Sequence, residues 1–172
     1  LEAEQLRRLL SHTQETFDFT WVKEYTVEAG RPDSITEEKL KVIKNHDITR
    51  ISINPQSMQQ KTLDVIGRKH TVEEIKEAYA LARKTGFDNI NMDIIAGLPG
   101  EDISDMEDTL AQIAQMHPDS LTVHSLAIKR AARMEMEDLN RNAKETHEIL
   151  SGMIERAAKA AKEMDLFPYY LY

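Results

Sequence analysis

The run Asn89-Ile90-Asn91-Met92-Asp93-Ile94-Ile95-Ala96-Gly97-Leu98-Pro99-Gly100-Glu101 plants one acid, Asp93, inside an otherwise strand-like apolar pattern. A carboxylate held between Met92 and Ile94 needs a partner, because a buried charge left uncompensated is costly. Ligand hydroxyls, such as a ribose diol, would provide one. An internal ion pair with Arg50 or Arg68 would provide another. The pattern then breaks at Gly97-Leu98-Pro99-Gly100. That break makes either a plain sharp turn or a place where backbone amides can approach a flat ring.

Other strand ends also carry polar groups. Glu28 stands just before Ala29-Gly30-Arg31-Pro32, where it can accept hydrogen bonds from a ligand ammonium or hydroxyl, or simply face solvent. Asn54-Pro55-Gln56-Ser57 sets two amides after the next strand, suited to a ribose or carboxylate but equally to a turn. No second histidine stands four residues after His46, His70 or His147, and His124 has no evident companion. A histidine metal site is therefore not expected. Neither a P-loop nor a Gly-x-Gly-x-x-Gly fingerprint occurs. With no cysteine at all, disulfides, thiolate nucleophiles and cysteine-held metal are excluded within these residues.

The elements that would position these groups alternate along the chain. A helix is expected over residues 1–15, and residues 24–28 alternate as a strand. Ser34 with Glu37 has capping-box spacing, with Thr36 a competing cap, ahead of a helix over 37–44. Residues 50–54 form the second strand, which Pro55 is expected to stop. A short helical turn over 59–66 ends at Gly67. Thr71 with Glu74 then caps a helix whose stripe is Val72, Ile75, Tyr79 and Ala82, stopped by Gly86. The third strand covers 90–95. Ser104 with Glu107 reads as the next capping box, before a stripe of Met106, Leu110 and Ile113 that ends at His117-Pro118. Residues 121–125 form a fourth strand, and 129–142 a charged connection. A long helix over 143–164 is expected to bury Leu150, Ile154, Ala157, Ala158 and Ala161, with 167–172 as a fifth strand. Strands separated by helices pair in parallel through right-handed crossovers. The class is α/β, in one domain spanning residues 1–172.

Strand alternation divides the side chains by face. Tyr25, Val27, Ile51, Ile53, Ile90, Met92, Ile94, Leu121 and Val123 suit a layer of outer helices. Thr26, Glu28, Ser52, Asn54, Asn91, Asp93, Thr122 and His124 fall on the opposite face. A closed eight-stranded barrel fills its interior with branched apolar layers. A polar interior instead fits a wide or incomplete barrel around a polar ligand; a half-exposed sheet with one wet face is the alternative.

Composition sets outer limits. Hydrophobic residues make up 41% and charged residues 30% of the 172, ordinary values for a globular chain with its own core. Lys+Arg of 22 against Asp+Glu of 30 leaves a net charge of −8, which argues against a general nucleic-acid surface. No apolar run approaches the roughly 20 residues that span a bilayer. A cytoplasmic protein with no membrane partner is expected. The chain opens without Met, directly in helical periodicity, and closes on Phe167-Pro168-Tyr169-Tyr170-Leu171-Tyr172, so it is expected to be part of something longer.

The ordered set Tyr25-Thr26-Val27-Glu28-Ala29-Gly30-Arg31-Pro32, Arg50-Ile51-Ser52-Ile53-Asn54-Pro55-Gln56-Ser57-Met58, Ile66-Gly67-Arg68 and Asn91 through Gly100 resembles the radical S-adenosylmethionine proteins. Within them it is most similar to the oxygen-independent coproporphyrinogen III oxidase group. Ser125-Leu126-Ala127-Ile128-Lys129-Arg130 and the terminal aromatic run resemble its coproporphyrinogen dehydrogenase branch. Each motif alone is modestly specific; their order and spacing along nearly the whole chain are highly specific.

The resemblance implies a partial (β/α) barrel holding S-adenosylmethionine inside it. Glu28 matches a family contact to one such molecule, and Gln56, Arg68, Asp93 and Ala127 match contacts to a second. Asp93 suits a hydroxyl, Arg68 a carboxylate, and Ala127 only backbone and a small apolar surface. The family's Cys-x-x-x-Cys-x-x-Cys, which holds a [4Fe–4S] cluster, is absent, and so is its glycine-rich segment; both are expected upstream of Leu1. The implied activity of the parent is oxidative decarboxylation of coproporphyrinogen III to protoporphyrinogen IX, with an electron donor as partner. Lys129, Arg130 and Arg133 are candidate contacts to the substrate carboxylates, or a solvated basic turn. Heme binding and delivery on the same fold, or a non-catalytic scaffold, are the alternatives. These 172 residues alone are expected to be inactive, to bind S-adenosylmethionine weakly or not at all, and to self-associate through open sheet edges near 167–172.

Overall fold

The computed structural model describes residues 1–126 and 143–168; the side chains of residues 143–146 are not part of that description. Helix α1 (Ala3–Thr16) leads to β1 (Thr26–Gly30), a 3-10 turn (Pro32–Ser34), α2 (Glu37–Lys44), β2 (Arg50–Gln56), α3 (Gln60–Val65) and α4 (Val72–Lys84). Strand β3 (Ile90–Ala96), α5 (Ile103–Met116), β4 (Ser120–Ser125) and α6 (Ala143–Glu163) follow. The strands form one sheet in the order β1-β2-β3-β4, every pair parallel. This is a partial (β/α) barrel, as the alternation of elements implies.

The outer face is dry. Ile51, Ile53, Ile90, Met92 and Ile94 have no exposed surface and pack with Ile75, Ala82, Met106, Ile113 and Met153 of the helices. The stripe expected for α5 is the one buried, and that of α4 is buried at Ile75, Tyr79 and Ala82, with Val72 half-buried and Ala78 added, because apolar residues three and four apart share one helix face. In α6 the buried side is Met153 and Ala157, flanked by Ile149, Leu150 and Ala160. Ile154 and Ala158 are turned outward, one residue's rotation from the expected stripe. The helix docks closely: a Cβ on Gly152 would lie 2.8 Å from Ile103 Cδ1.

Helix starts obey hydrogen-bond supply rather than spacing alone. Thr36, not Ser34, caps α2, accepting from the Lys39 amide. Helix α5 starts earlier than the Ser104–Glu107 spacing suggests. Asp102 accepts from the Ser104 and Asp105 amides, while Asp105 closes the box on the Asp102 amide. Asp and Ser are comparable as caps, and the Asp102 carboxylate additionally meets the positive end of the helix.

Pro55 does not stop β2, which runs on to Gln56. The register with β3 shifts between Ile53 and Gln56, so the proline sits in a bulge where its missing N–H breaks no ladder bond. Phe167 and Pro168 are irregular, and residues 169–172 lie outside the described residues. So do the connection 129–142 and any association through the expected fifth strand.

At the amino ends of the strands an ionic clamp closes the sheet. Asp119 accepts from the Ile90 amide at 2.7 Å and pairs with Arg83 at 2.7 Å, while Arg83 and Tyr79 both donate to the His117 carbonyl. Ile53→Ala, emptying a fully buried site, is expected to cost about 2–5 kcal/mol. Thr36→Ala, removing one cap bond, is expected to cost about 1 kcal/mol. Urea unfolding followed by circular dichroism measures both.

Candidate functional site

Parallel pairing lines up one inner-face residue from each strand. Glu28 is opposite Ser52, Ser52 opposite Asn91, and Asn91 opposite Ser120. Residues in register on one face of a sheet are near neighbours, so polar side chains there can satisfy one another. They do. Asn91 Nδ2 donates to Ser52 Oγ at 2.8 Å, and Ser52 Oγ donates to Asn54 Oδ1 at 2.9 Å. Asn54 Nδ2 then donates to Glu28 Oε2 at 3.2 Å. Asn91 Nδ2 also donates to Asp93 Oδ1, and Asn91 Oδ1 accepts from Ser120 and Thr122, each at 3.0 Å.

Asp93 is thus held by a neutral amide. Neither arginine partner is used: Arg50 reaches Glu24 at 3.4 Å and Ser120 at 3.2 Å. The register explains this, since Ile51 pairs with Ile90 and leaves Arg50 roughly 13 Å of strand below Asp93. The interior residues Ser52 and Asn91 are buried, whereas Asp93 and Asn54 are half-buried and Glu28 is exposed. The row therefore opens toward the carboxyl ends of the strands, where α/β proteins place ligands.

Gln56 stands at that rim with φ of 70°, a left-handed backbone that ends β2. Arg68 is half-buried just beyond α3. Among the described residues neither the Gln56 amide nor the Arg68 guanidinium makes a hydrogen bond or an ion pair. Gly97 carries φ of 86°, and a Cβ there would come within 3.2 Å of Leu150, so the rim turn and α6 meet without a side chain between them. Ala127, Lys129, Arg130 and Arg133 lie outside the described residues. His124 is exposed at the end of β4.

Two buried features of the rim escaped the sequence reading. Ser57 Oγ donates to Glu101 Oε1 at 2.5 Å, tying the loop after β2 to the loop after β3, and both residues are buried. Burial pushes the Glu101 carboxyl above its ordinary 4.5, and the Ser57 hydrogen bond opposes that rise. His70 is fully buried, and among the described residues neither ring nitrogen has a hydrogen-bond partner. Burial lowers its basicity below 6.5; Asp33 acts the other way and Arg68 adds to the lowering. The Pro55 carbonyl favours its charged form without meeting hydrogen-bond geometry. Only the pairing of loops that are distant in sequence reveals either feature.

The cavities of about 270 Å³ on the outer helices, one lined by Lys41, Lys84 and Thr85 and another by Leu110, Arg156 and Ala160, touch none of these groups. The site is an open rim. The chain has no cysteine and so supplies no thiolate, and among the described residues no trio of His, Cys, Asp or Glu is placed to hold a metal. Their hydroxyls, amides and carboxylates fit the ammonium, carboxylate and ribose of S-adenosylmethionine. Among the described residues no helix is long and apolar enough to cross a membrane.

Parallel strands, outer helices and a polar inner rim define a class, and comparison with known proteins agrees. Residues 4–113 match the Radical SAM superfamily, and the chain belongs to it. It is 47% identical over 173 positions to the oxygen-independent coproporphyrinogen-III oxidase-like protein HemZ of Bacillus subtilis (strain 168), covering 100% of this chain and 34% of HemZ. The heme chaperone HemW of Lactococcus lactis subsp. lactis (strain IL1403) is 31% identical over 129 residues, covering 75% of this chain and 34% of HemW. The fold superposes on the coproporphyrinogen III oxidase HemN of Escherichia coli, a radical SAM enzyme, with a TM-score of 0.81. That match has 23% identity and covers 95% of this chain and 38% of HemN, a likeness of fold. The chain spans about a third of the length of the curated relatives it matches.

Because Glu101 has a raised value in the folded state, it favours folding below 4.5, and that contribution is lost as pH rises through the folded value. Glu101→Gln, which keeps an acceptor for Ser57, is expected to increase the unfolding free energy near neutral pH. The gain should vanish below 4.5 in a urea-unfolding series across pH.

Proposed function

We propose that the protein carrying this chain is a radical S-adenosylmethionine oxidoreductase of the coproporphyrinogen III oxidase group, and that these residues are the central part of its barrel, folded as one domain. The reaction removes from each of two substrate propionates a carbon dioxide, a proton and two electrons, leaving a vinyl group. One observation carries this reading: a hydrogen-bonded polar row crosses the sheet and ends in carboxylates at the carboxyl rim, in a chain 47% identical to HemZ.

In this reading Glu28 contacts one S-adenosylmethionine, and Gln56, Arg68, Asp93 and Ala127 a second. Asp93 accepts from hydroxyls, and Arg68 pairs with a carboxylate. Lys129 and Arg130 meet the substrate's propionates. The bound S-adenosylmethionine supplies the oxidising chemistry; the chain's own residues orient it. The identity to the heme chaperone HemW supports a second reading, heme binding and delivery without decarboxylation.

The full-length, cluster-reconstituted protein incubated with coproporphyrinogen III, S-adenosylmethionine and a reductant separates the two. Protoporphyrinogen IX is the expected product. Stoichiometric heme binding with no product would overturn the oxidase reading in favour of delivery. Glu28→Gln and Asp93→Asn in the same protein are each expected to weaken S-adenosylmethionine binding roughly ten- to hundredfold by calorimetry, the loss of a hydrogen bond to a charged group.

A further inference from the structure

We infer that Asn91 is a positioning residue: its one buried side-chain amide aims both rim carboxylates, Glu28 and Asp93. The inference rests on the reading of those carboxylates as ligand contacts. Asn91 touches no rim surface itself, being only 2% exposed.

Its orientation is set by chemistry. An ionised carboxylate only accepts, so the atom facing Asp93 must be Nδ2. The opposite atom, Oδ1, then receives the hydroxyls of Ser120 and Thr122. The second Nδ2 hydrogen goes to Ser52 Oγ. All four hydrogen-bonding positions of the amide are used, and a flipped amide would set oxygen against carboxylate.

From Asn91 the donors run one way. Ser52 Oγ, having accepted from Asn91, has its own hydrogen free for Asn54 Oδ1. That leaves Asn54 Nδ2 to donate to Glu28 Oε2. Glu28, as an acceptor, fixes Asn54 from the far end just as Asp93 fixes Asn91. A short branch (Asn91 to Asp93) and a long branch (Asn91, Ser52, Asn54, Glu28) therefore share one origin. Arg50 sets its foot, donating to Ser120 Oγ at 3.2 Å while that hydroxyl donates to Asn91.

The branches make the test selective. In crystal structures of the full-length protein, Asn91→Ala is expected to release both carboxylates from their present positions. Ser52→Ala should release Asn54 and Glu28 and leave Asp93 in place. In binding to S-adenosylmethionine, Ser52→Ala should weaken affinity about as much as Glu28→Gln and be non-additive with it, yet additive with Asp93→Asn. Asn91→Ala should be non-additive with both. A role in stability alone would shift the melting temperature without this branch selectivity.

Carboxylates that stay in place in Asn91→Ala, or an Asp93 displaced equally by both variants, would overturn the proposal. If Asn91→Ala does not fold, the Ser52→Ala pattern decides alone, and uniform additivity there sinks it. Carboxylates that move while affinity stays unchanged would uphold the positioning and overturn the rim as the cofactor contact. Affinity lost in Glu28→Gln with carboxylates unmoved in Asn91→Ala would do the reverse.

Discussion

Polar side chains on the buried inner face of a parallel sheet must be satisfied by one another or by something bound there, and the rest of this structure is arranged around that requirement. Residues in register supply the first solution: Ser52, Asn91 and Ser120 complete each other's hydrogen bonds across three strands. The second solution is left for the ends of the row. Among the described residues, Glu28 and Asp93 each bond the network through one oxygen and keep the other outside it, at the rim where the strands finish. Moving any strand by one residue would turn the row to the outer face and strand these groups among isoleucines.

The dry outer face is what makes that register strict. Ile51, Ile53, Ile90, Met92 and Ile94 have no exposed surface, so a slip would expose them together. The ionic clamp and the rim carboxylates occupy opposite ends of the sheet. The clamp of Tyr79, Arg83 and Asp119 lies at the amino ends, where it holds β3 and β4 together without touching the rim. At the carboxyl ends the Ser57–Glu101 bond joins two loops, and the buried carboxylate is tolerated because a hydroxyl meets it.

The chain belongs to the Radical SAM superfamily and contains no cysteine. What this chain contributes is a wall of hydroxyls, amides and carboxylates; thiolate ligands are not among its residues. The chain is similar both to an oxidase-like protein and to a heme chaperone. The polar row by itself does not distinguish between those two kinds of relative.

By itself the sequence determined the class, the order of the four strands and their intervening helices, the two faces of the sheet and the acids at its rim. All of these follow from local periodicity and residue type, and the resemblance read from ordered motifs named the same family that comparison shows. Where competing local signals were close in energy, tertiary structure decided. Thr36 took the cap from Ser34, Asp102 displaced Ser104, Pro55 was absorbed in a bulge, and α6 turned so that Met153 rather than Ile154 faces inward. Asp93 posed the sharpest choice, between ligand hydroxyls and an ion pair with Arg50 or Arg68. Register gave it Asn91, two residues away on the same face, because a strand repeats its facing every second residue and Arg50 lies too far down the sheet. Partners such as Ser57 and Glu101, or Asn91 and Ser120, meet only after strands pair, and no local pattern carries that information.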